Sequence, residues 1–383
     1  MRIFHMADLH IGITLYNRDL SEDQRYVLRQ VIDYATQYVP DVVVIAGDIY
    51  DRSVPSAEAV ALFDWFIGAL TEAVPKASIM MIAGNHDSAQ RIDCYRNILC
   101  RQNIFIAGLA PQKNTEYMQR ITISDTYGDV DFYLLPFIRP AVVRGVLGYE
   151  DMALSYDEAV HQMIAREQID TARRNVLVTH QFYIPVGEDI QSLELSESEI
   201  HTVGNIDSVR SDALMPFDYV AMGHIHKMSQ VGKTAYRYSG TPMAYSVSEA
   251  SQEKGILMID LCGKEEAVQV TGLPLTPLHA VRKLRGTLEE VLRQSCDDYV
   301  AIELTDQELE ASVDLSDRLQ HAFCNLLEVR RVYARLQNYD AVVSEASIQA
   351  PLELIDRFMP DMTEEERTVM EDVWNTVRGG DHL

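Results

Sequence analysis

Five short stretches of the chain carry residues that ligate metals or move protons, and each follows an apolar run: HMADLH (5–10), AGDIYD (46–51), AGNHD (83–87), VLVTH (176–180) and MGHIH (222–226). They contribute Asp8, His10, Asp48, Asn85, His86, His180, His224 and His226, so five of the eleven histidines are among these candidates. Asp8 and His10 stand two apart, as do His224 and His226, and in an extended segment such residues point to one side and converge on one object. Gly47, Gly84 and Gly223 precede the polar residues, where the backbone is expected to turn sharply. Oxygen and imidazole donors without thiolate select ions such as Mn, Fe or Zn. Seven ligands are too many for one ion but suit two that share a bridging carboxylate. Two ions about 3.5–4 Å apart clamp the attacking and leaving oxygens of an in-line phosphoryl displacement and lower the pKa of a bridging water. The chemistry implied is phosphoester hydrolysis.

The elements that must position these residues alternate in type. Ile3–Met6, Val42–Ala46, Ile79–Ala83, Phe132–Leu135, Val176–Thr179 and Tyr219–Met222 read as strands, each a short aliphatic run bounded by Gly, Asp, Asn or Pro. Glu22–Tyr38 and Ser56–Thr71 have the length of crossover helices, so the first part of the chain is a layered α/β domain. In open α/β sheets a ligand site lies beyond the carboxyl ends of the strands, which brings the five stretches to one place. Strands between about residue 219 and 260 are joined by short polar turns and need not be parallel. The prolines of LPLTPLHA (273–280) mark a linker, and 281–336 read strand, helix, strand, helix, strand. Two helices follow. The second opens on a Thr363/Glu366 capping box and carries Val369, Met370, Val373, Trp374 and Val377 at helical spacing.

The bulk properties fit a folded enzyme. Of 383 residues, 47% are apolar, and no run approaches the roughly 18–20 apolar residues of a membrane span. The start MRIFHMADLH lacks a signal-peptide pattern, and five cysteines without metal-type spacing fit a reducing compartment. The expected location is the cytoplasm. A net charge of −25 excludes a diffuse basic footprint for nucleic acid but not a local one, least of all where bound metals supply positive charge.

The series DLH, GDIYD, GNHD, a lone histidine after a strand, and GHIH resembles the calcineurin-like metallophosphoesterase superfamily. The resemblance implies a layered α/β/β/α sandwich. It implies that Asp8, His10, Asp48 and His226 hold one metal, and that Asp48 bridges to a second held by Asn85, His180 and His224. It gives His86 the scissile phosphate. RIFHMADLHIG, AGDIYDRSVPSAEA, LPFIRP and YSGTPMAYSVSEASQEKG are similar to the bacterial SbcD nucleases, relatives of the Mre-type DNA-repair nucleases. That narrower likeness implies a nuclease domain (1–275), a small α/β capping domain (276–340) and C-terminal helices (341–383) that dock on the coiled coil of an SbcC-type ATPase. It further implies a nucleoid-associated, manganese-dependent 3′-to-5′ exonuclease and endonuclease that acts on double-stranded DNA ends and hairpins. It makes the chain a homodimer through the helix of 56–73, apolar on two sides with Trp65 or Phe66 at the twofold; burial under 141–175 is the alternative. Tyr16, Asn17 and Arg52, in loops just after the metal motifs, are candidate DNA contacts. The competing readings are a phosphoesterase for nucleotides or other phosphoesters, and a scaffold that kept the fold and lost the reaction. His5, His161, His201, His279, His321 and His382 read as packing or surface residues.

Overall fold

The computed structural model describes residues 1–148, 153–187, 208–306, 313–331, 363 and 366–370. Two six-stranded sheets form its centre. The first runs in the order Gln269–Pro274, Gly255–Asp260, Arg2–Met6, Val42–Ala46, Ser78–Ile82, Ile104–Ala107. Its last four strands are mutually parallel and the other two antiparallel. The second runs Ser229–Val231, Lys233–Tyr238, Tyr219–Gly223, Arg174–His180, Gly128–Leu135, Gln119–Asp125, parallel except at its two outermost pairs.

Alternation along each strand explains the layering, because successive side chains face opposite sides. Ile3, Val42, Val44, Met80 and Ile82 of the first sheet meet Phe132, Leu134, Val176, Val178 and Tyr219 of the second. The opposite face of the first sheet, with Phe4, Val43 and Ile45, packs on Leu28 and Val31 of the helix Ser21–Tyr38 and on Leu62, Phe66 and Leu70 of the helix Ala57–Ala73. The outer face of the second sheet packs Leu135, Leu177 and Val220 on Val143, Val160 and Met163. The order is helix, sheet, sheet, helix, the α/β/β/α sandwich.

The helix Ala57–Ala73 buries Phe66 in the core of its own chain, which removes Phe66 from the twofold that the resemblance implied. Only one side is buried, through Ala59, Leu62, Phe66 and Leu70, while Val60 is 44% exposed and Phe63, Trp65 and Ile67 are partly covered. Its partners are the helix Ser21–Tyr38 and the first sheet, whereas Val143, Val146, Val160 and Met163 pack on the second sheet, so none of the described residues of 141–175 covers it. Arg25 stacks over Trp65 at 4.2 Å, which covers part of an otherwise wet ring.

Beyond the linker, Val281–Gly286, Tyr299–Leu304 and Leu326–Arg331 form a parallel three-stranded sheet. It packs on the helices Leu288–Leu292 and Val313–Ala322 around Val291, Ile302, Leu319 and Phe323. This small unit is fixed to the first by Asp23, which is 2% exposed. Its carboxylate accepts from the His279 backbone N–H (2.9 Å), from His279 Nδ1 (3.0 Å) and from the Tyr299 hydroxyl (2.9 Å). Thr363 and Glu366 make the expected capping box, with Val369 60% exposed; Val373, Trp374 and Val377 lie outside the described residues.

Asp23→Ala leaves the buried Tyr299 hydroxyl unmatched, at about 1–3 kcal/mol, and frees the part-buried N–H groups of His279. The expected outcome is a lower urea midpoint and faster proteinase K cleavage in the 275–280 linker. An unchanged midpoint and cleavage rate would remove Asp23 as the clamp.

Candidate metal centre

The eight chemistry-bearing residues sit at the carboxyl ends of strands from both sheets. Asp8, His10, Asp48, Asn85 and His86 follow the strands Arg2–Met6, Val42–Ala46 and Ser78–Ile82 of the first sheet, and His180, His224 and His226 come from the second. The pleat of a strand is not what aims them, as the sequence reading had it. Asp8, His10, Asp48 and His224 have φ of 52°, 41°, 48° and 99°, so the chain has left the extended state at each. A non-glycine residue held there costs on the order of 1–3 kcal/mol and persists only where its surroundings over-determine it.

Those surroundings are hydrogen bonds between loops. Asp8 N donates to Gly47 O (3.0 Å), His10 N to Asp48 O (3.0 Å) and Ile11 N to Ile49 O (2.9 Å). The Gln24 carboxamide donates to Leu9 O (3.2 Å) and His10 O (2.9 Å) and accepts from Gly12 N (3.0 Å). The Asp87 carboxylate accepts from Ile49 N, Tyr50 N and Gly84 N at 2.9–3.0 Å, which ties the second loop to the third. Gly47 makes the expected sharp turn, but Gly84 and Gly223 serve a different need. A Cβ on Gly84 would lie 2.1 Å from Asp48 Oδ1, and one on Gly223 would lie 2.1 Å from Ala46 O. Glycine lets the third loop approach the Asp48 side chain and lets the second sheet approach the Ala46 carbonyl.

Three groups of donors could each hold an ion: Asp8, His10 and His226; Asp8, Asp48 and His180; His10, Asp48 and His86. Within each, the donor atoms lie within 4.8 Å of one another. Asn85 Oδ1 is 3.1 Å from His180 Nε2 and 2.9 Å from His224 Nδ1, while Asp48 Oδ2 is 3.2 Å from His180 Nε2 and 3.7 Å from His10 Nε2. Asp48 thus neighbours both His10 and His180, and Asn85 links His180 to His224. His86 is at the rim, its ring 4.8 Å from that of His10. Its backbone N–H donates to Asp48 Oδ1 (2.9 Å), and its Nδ1 lies 3.0 Å from Asp51 O.

The donor set fits divalent cations. Both ring nitrogens of His10 are buried with no hydrogen-bond partner, an orphaned state that costs free energy unless something accepts the lone pair. Burial pushes the Asp8 carboxyl up to about 7 against the pull of His180 and His226. Burial also works against a charged His180, but the adjoining Asp48 carboxylate outweighs it and raises the imidazole to about 9. Asp48 is buried as well, yet the imidazoles of His180 and His86 hold it well below the usual carboxylate range. His10 and His224 are driven well below theirs, first by burial. The protons on His180 and Asp8 occupy positions where a dication does the same work.

Several participants carry no sequence signal of their own. Gln24, Asp87 and Glu249 act through backbone groups or through other side chains; Asp87 closes AGNHD and Glu249 lies in YSGTPMAYSVSEASQEKG, but neither stretch shows locally what its acid holds. Phe137 stacks on His224 at 6.2 Å; LPFIRP was legible as a likeness but not as a wall of the site. Of the candidate DNA contacts, Arg52 is exposed beside Asp51 and Asn17 is exposed in the turn between Thr14–Leu15 and Arg18–Asp19. Tyr16 is half-exposed in that turn, and partial burial together with the nearby Glu328 carboxylate of the small unit pushes its hydroxyl pKa up. His5 packs internally, on the Tyr219 hydroxyl (2.9 Å) and Met222 O (3.2 Å). His161 pairs with Asp212, His279 with Asp23, and His321 lies near the end of the helix Val313–Ala322. His201 and His382 are outside the described residues. All five cysteines are free, and among the described residues no helix is long and apolar enough to cross a membrane.

Residues 1–228 match the family model of the calcineurin-like phosphoesterases, and the chain belongs to that family of metal-dependent hydrolases. Residues 277–363 match a second model, described as the type 5 capsule protein repressor C-terminal domain. The SbcD component of the SbcCD nuclease from Staphylococcus epidermidis is 28% identical over 375 residues, covering 95% of this chain and 94% of that protein. Its counterpart in Staphylococcus saprophyticus is 30% identical over 301 residues, covering 78% and 75%. Within the family the chain is therefore of the SbcD type. A dimetal phosphatase from Danio rerio superposes with a TM-score of 0.40 at 11% identity over 72% of this chain and 98% of that one, too loosely to bear on the site.

Divalent ions compete with the protons on Asp8 and His180, whose folded pKa values lie above their ordinary ones. Those protons are held at low pH and lost as pH rises through about 7 and about 9 respectively. Apparent Mn²⁺ affinity is therefore expected to rise from pH 7 to pH 9. Calorimetry in buffers of different ionisation enthalpy should show proton release over that range. Affinity flat in pH, with no buffer-dependent heat, would contradict the electrostatics described above.

Proposed function

We propose that the chain is the nuclease subunit of an ATP-driven SbcC–SbcD-type complex. It would cut double-stranded DNA ends and hairpins as a 3′-to-5′ exonuclease and endonuclease with two Mn²⁺ ions. The observation that carries this reading is the gathering of seven side chains with nitrogen or oxygen donors, Asp48 among them, in one cluster, with His86 at the rim, in a chain of the SbcD type. The ligand assignment is Asp8, His10, Asp48 and His226 for one ion, and Asp48, Asn85, His180 and His224 for the other. When bound, the two ions supply Lewis-acid charge and a nucleophilic hydroxide at neutral pH.

The chain's own residues do the rest. The Asp51 carbonyl can only accept, so the His86 Nδ1 that faces it carries a hydrogen, and Nε2 becomes the nitrogen presented to substrate. Once protonated there, His86 donates to the charge that grows on the phosphoryl oxygens or to the leaving oxygen. Burial of Asp8, Asp48 and the imidazoles keeps water from screening these charges. Arg52, which shares Asp51 with His86, would meet a phosphate, and Asn17 and Tyr16 are the other candidate DNA contacts.

The −25 net charge is met by a division of labour: the ions at the centre and the ATPase partner supply the cations that hold DNA. The exposed Val369 edge of the C-terminal segment is offered as the docking stripe for the partner's coiled coil. A second copy of the chain would cover Val60, Phe63 and Ile67 of the helix Ala57–Ala73, whose other side is already buried.

The test is Mn²⁺-dependent cleavage of linear double-stranded DNA by the full chain with its ATPase partner and ATP, beside hydrolysis of a generic phosphomonoester. His86→Ala should bind Mn²⁺ as the wild type does and lose about 10²–10⁴-fold in DNA cleavage, the range for a lost proton-transfer group. Hydrolysis of the small ester alone, with partner and ATP present, would overturn the nuclease reading in favour of a general phosphoesterase.

A further inference from the structure

The stretch Tyr238–Gly255 carries part of the family likeness, yet none of its residues enters the chemistry described above. Its one fully buried acid is Glu249, at the end of a short turn, 0% exposed. Both carboxylate oxygens are engaged. Oε1 lies 3.2 Å from His226 Nδ1 and accepts from Ser246 Oγ (3.0 Å). Oε2 accepts from Lys254 Nζ (2.6 Å), Thr241 Oγ1 (3.3 Å) and Tyr245 N (3.4 Å).

Lys254 closes the ring. Its ammonium, also buried, donates to the His226 carbonyl (3.0 Å), to Thr241 Oγ1 (2.6 Å) and to Gln252 Oε1 (2.9 Å). The Thr241 backbone N–H reaches the same His226 carbonyl at 3.1 Å. His226 is thus gripped at its ring by the acid and at its backbone by the base. A buried Glu–Lys pair adds little stability over apolar side chains of the same size, so stability alone does not account for it.

The other imidazoles sharpen the contrast. His180 directs Nδ1 to the Ala46 carbonyl at 2.7 Å, and His86 directs its own to the Asp51 carbonyl. Those are neutral acceptors, whereas His226 meets a carboxylate. A carboxylate behind a ligand histidine fixes which nitrogen carries the hydrogen and makes the opposite nitrogen a stronger donor to a cation.

We propose that Glu249, countercharged by Lys254, is the positioning residue for His226 and sets the affinity of the Asp8–His10–His226 set for its ion. This rests on the two-metal reading above. The influence is one-sided: Glu249 touches His226, while Asn85, His180 and His224 are held by other groups. Loss of Glu249 therefore weakens one of two metal-binding steps.

The experiment is a Mn²⁺ titration of the full-length chain by calorimetry and by electron paramagnetic resonance, with the thermal midpoint of the chelated protein measured alongside. Glu249→Gln keeps the shape and removes the charge. It leaves Lys254 buried without its partner, so the double variant E249Q/K254M is titrated as well. Both are expected to bind one Mn²⁺ as the wild type does and the other about 10–100-fold more weakly. A residue that is only structural would lower the chelated midpoint and leave both binding steps unchanged, and that result overturns the proposal. Equal weakening of both steps overturns it too. A wild-type chain that binds no Mn²⁺ overturns the two-metal reading itself, and is recognised because the failure appears before any substitution.

Discussion

Two carboxylates, Asp8 and Asp48, are buried side by side at 0% and 2% exposure where the two sheets meet. Taking a carboxylate out of water costs several kcal/mol even after the protein relaxes, and two of them close together repel. Such a pair persists only if cations or many aligned N–H groups surround it. The chain supplies both. His224 N donates to the two oxygens of Asp8 at 2.9 and 3.1 Å, His86 N to Asp48, and an array of imidazoles faces the acids. The left-handed turns and the close-approach glycines are the geometric consequences of that arrangement.

Because the donors come from both sheets, the core between the sheets sets the spacing of the site. Val44, Ile82, Val178 and Ala221 are fully buried in that layer, and such interiors are packed as densely as organic crystals. A rigid layer holds donor atoms from distant parts of the chain to tenths of an ångström, and positioning of that quality is what a two-ion centre needs. Loops that merely met in solution would not hold it. This is also why the residues behind the ligands matter. Gln24 and Asp87 bind backbone beside the strained turns at His10 and Asp48, and Glu249 binds the His226 ring.

The junction with the small unit reaches the same loops. Asp23 and Gln24 are neighbours on one helix: the first holds His279 and Tyr299, the second holds the carbonyls of Leu9 and His10. Tyr245 joins them, donating its hydroxyl to Leu9 O and packing beside Val281 and Tyr299. Between the units lies a cavity of about 560 Å³, lined by Met228, Met243, Glu249, Lys254, His279 and Val281. The position of the small unit and the shape of the metal loops are thus parts of one packed assembly.

The sequence by itself determined the chemistry and most of the elements. Strands such as Val42–Ala46 were legible because an aliphatic run bounded by glycine is a local signal, and the helix Ser21–Tyr38 because its apolar residues recur at helical spacing. The same locality made Asp8, Asp48 and the histidines visible as residues at strand ends. What only the tertiary structure decided is how they pair and what supports them. His224 meets Asp8 across 216 positions and His180 meets Ala46 across 134, and no local pattern encodes such contacts. The expected pleat at His224 and His226 gave way to a left-handed turn at His224, because closing the sheets over two acids demands that turn whatever the local preference. For the helix Ala57–Ala73, composition announced two apolar sides, while packing on a single sheet and a single neighbouring helix buried only one. Residue type is written locally, but burial and the charge balance it demands are properties of the whole fold.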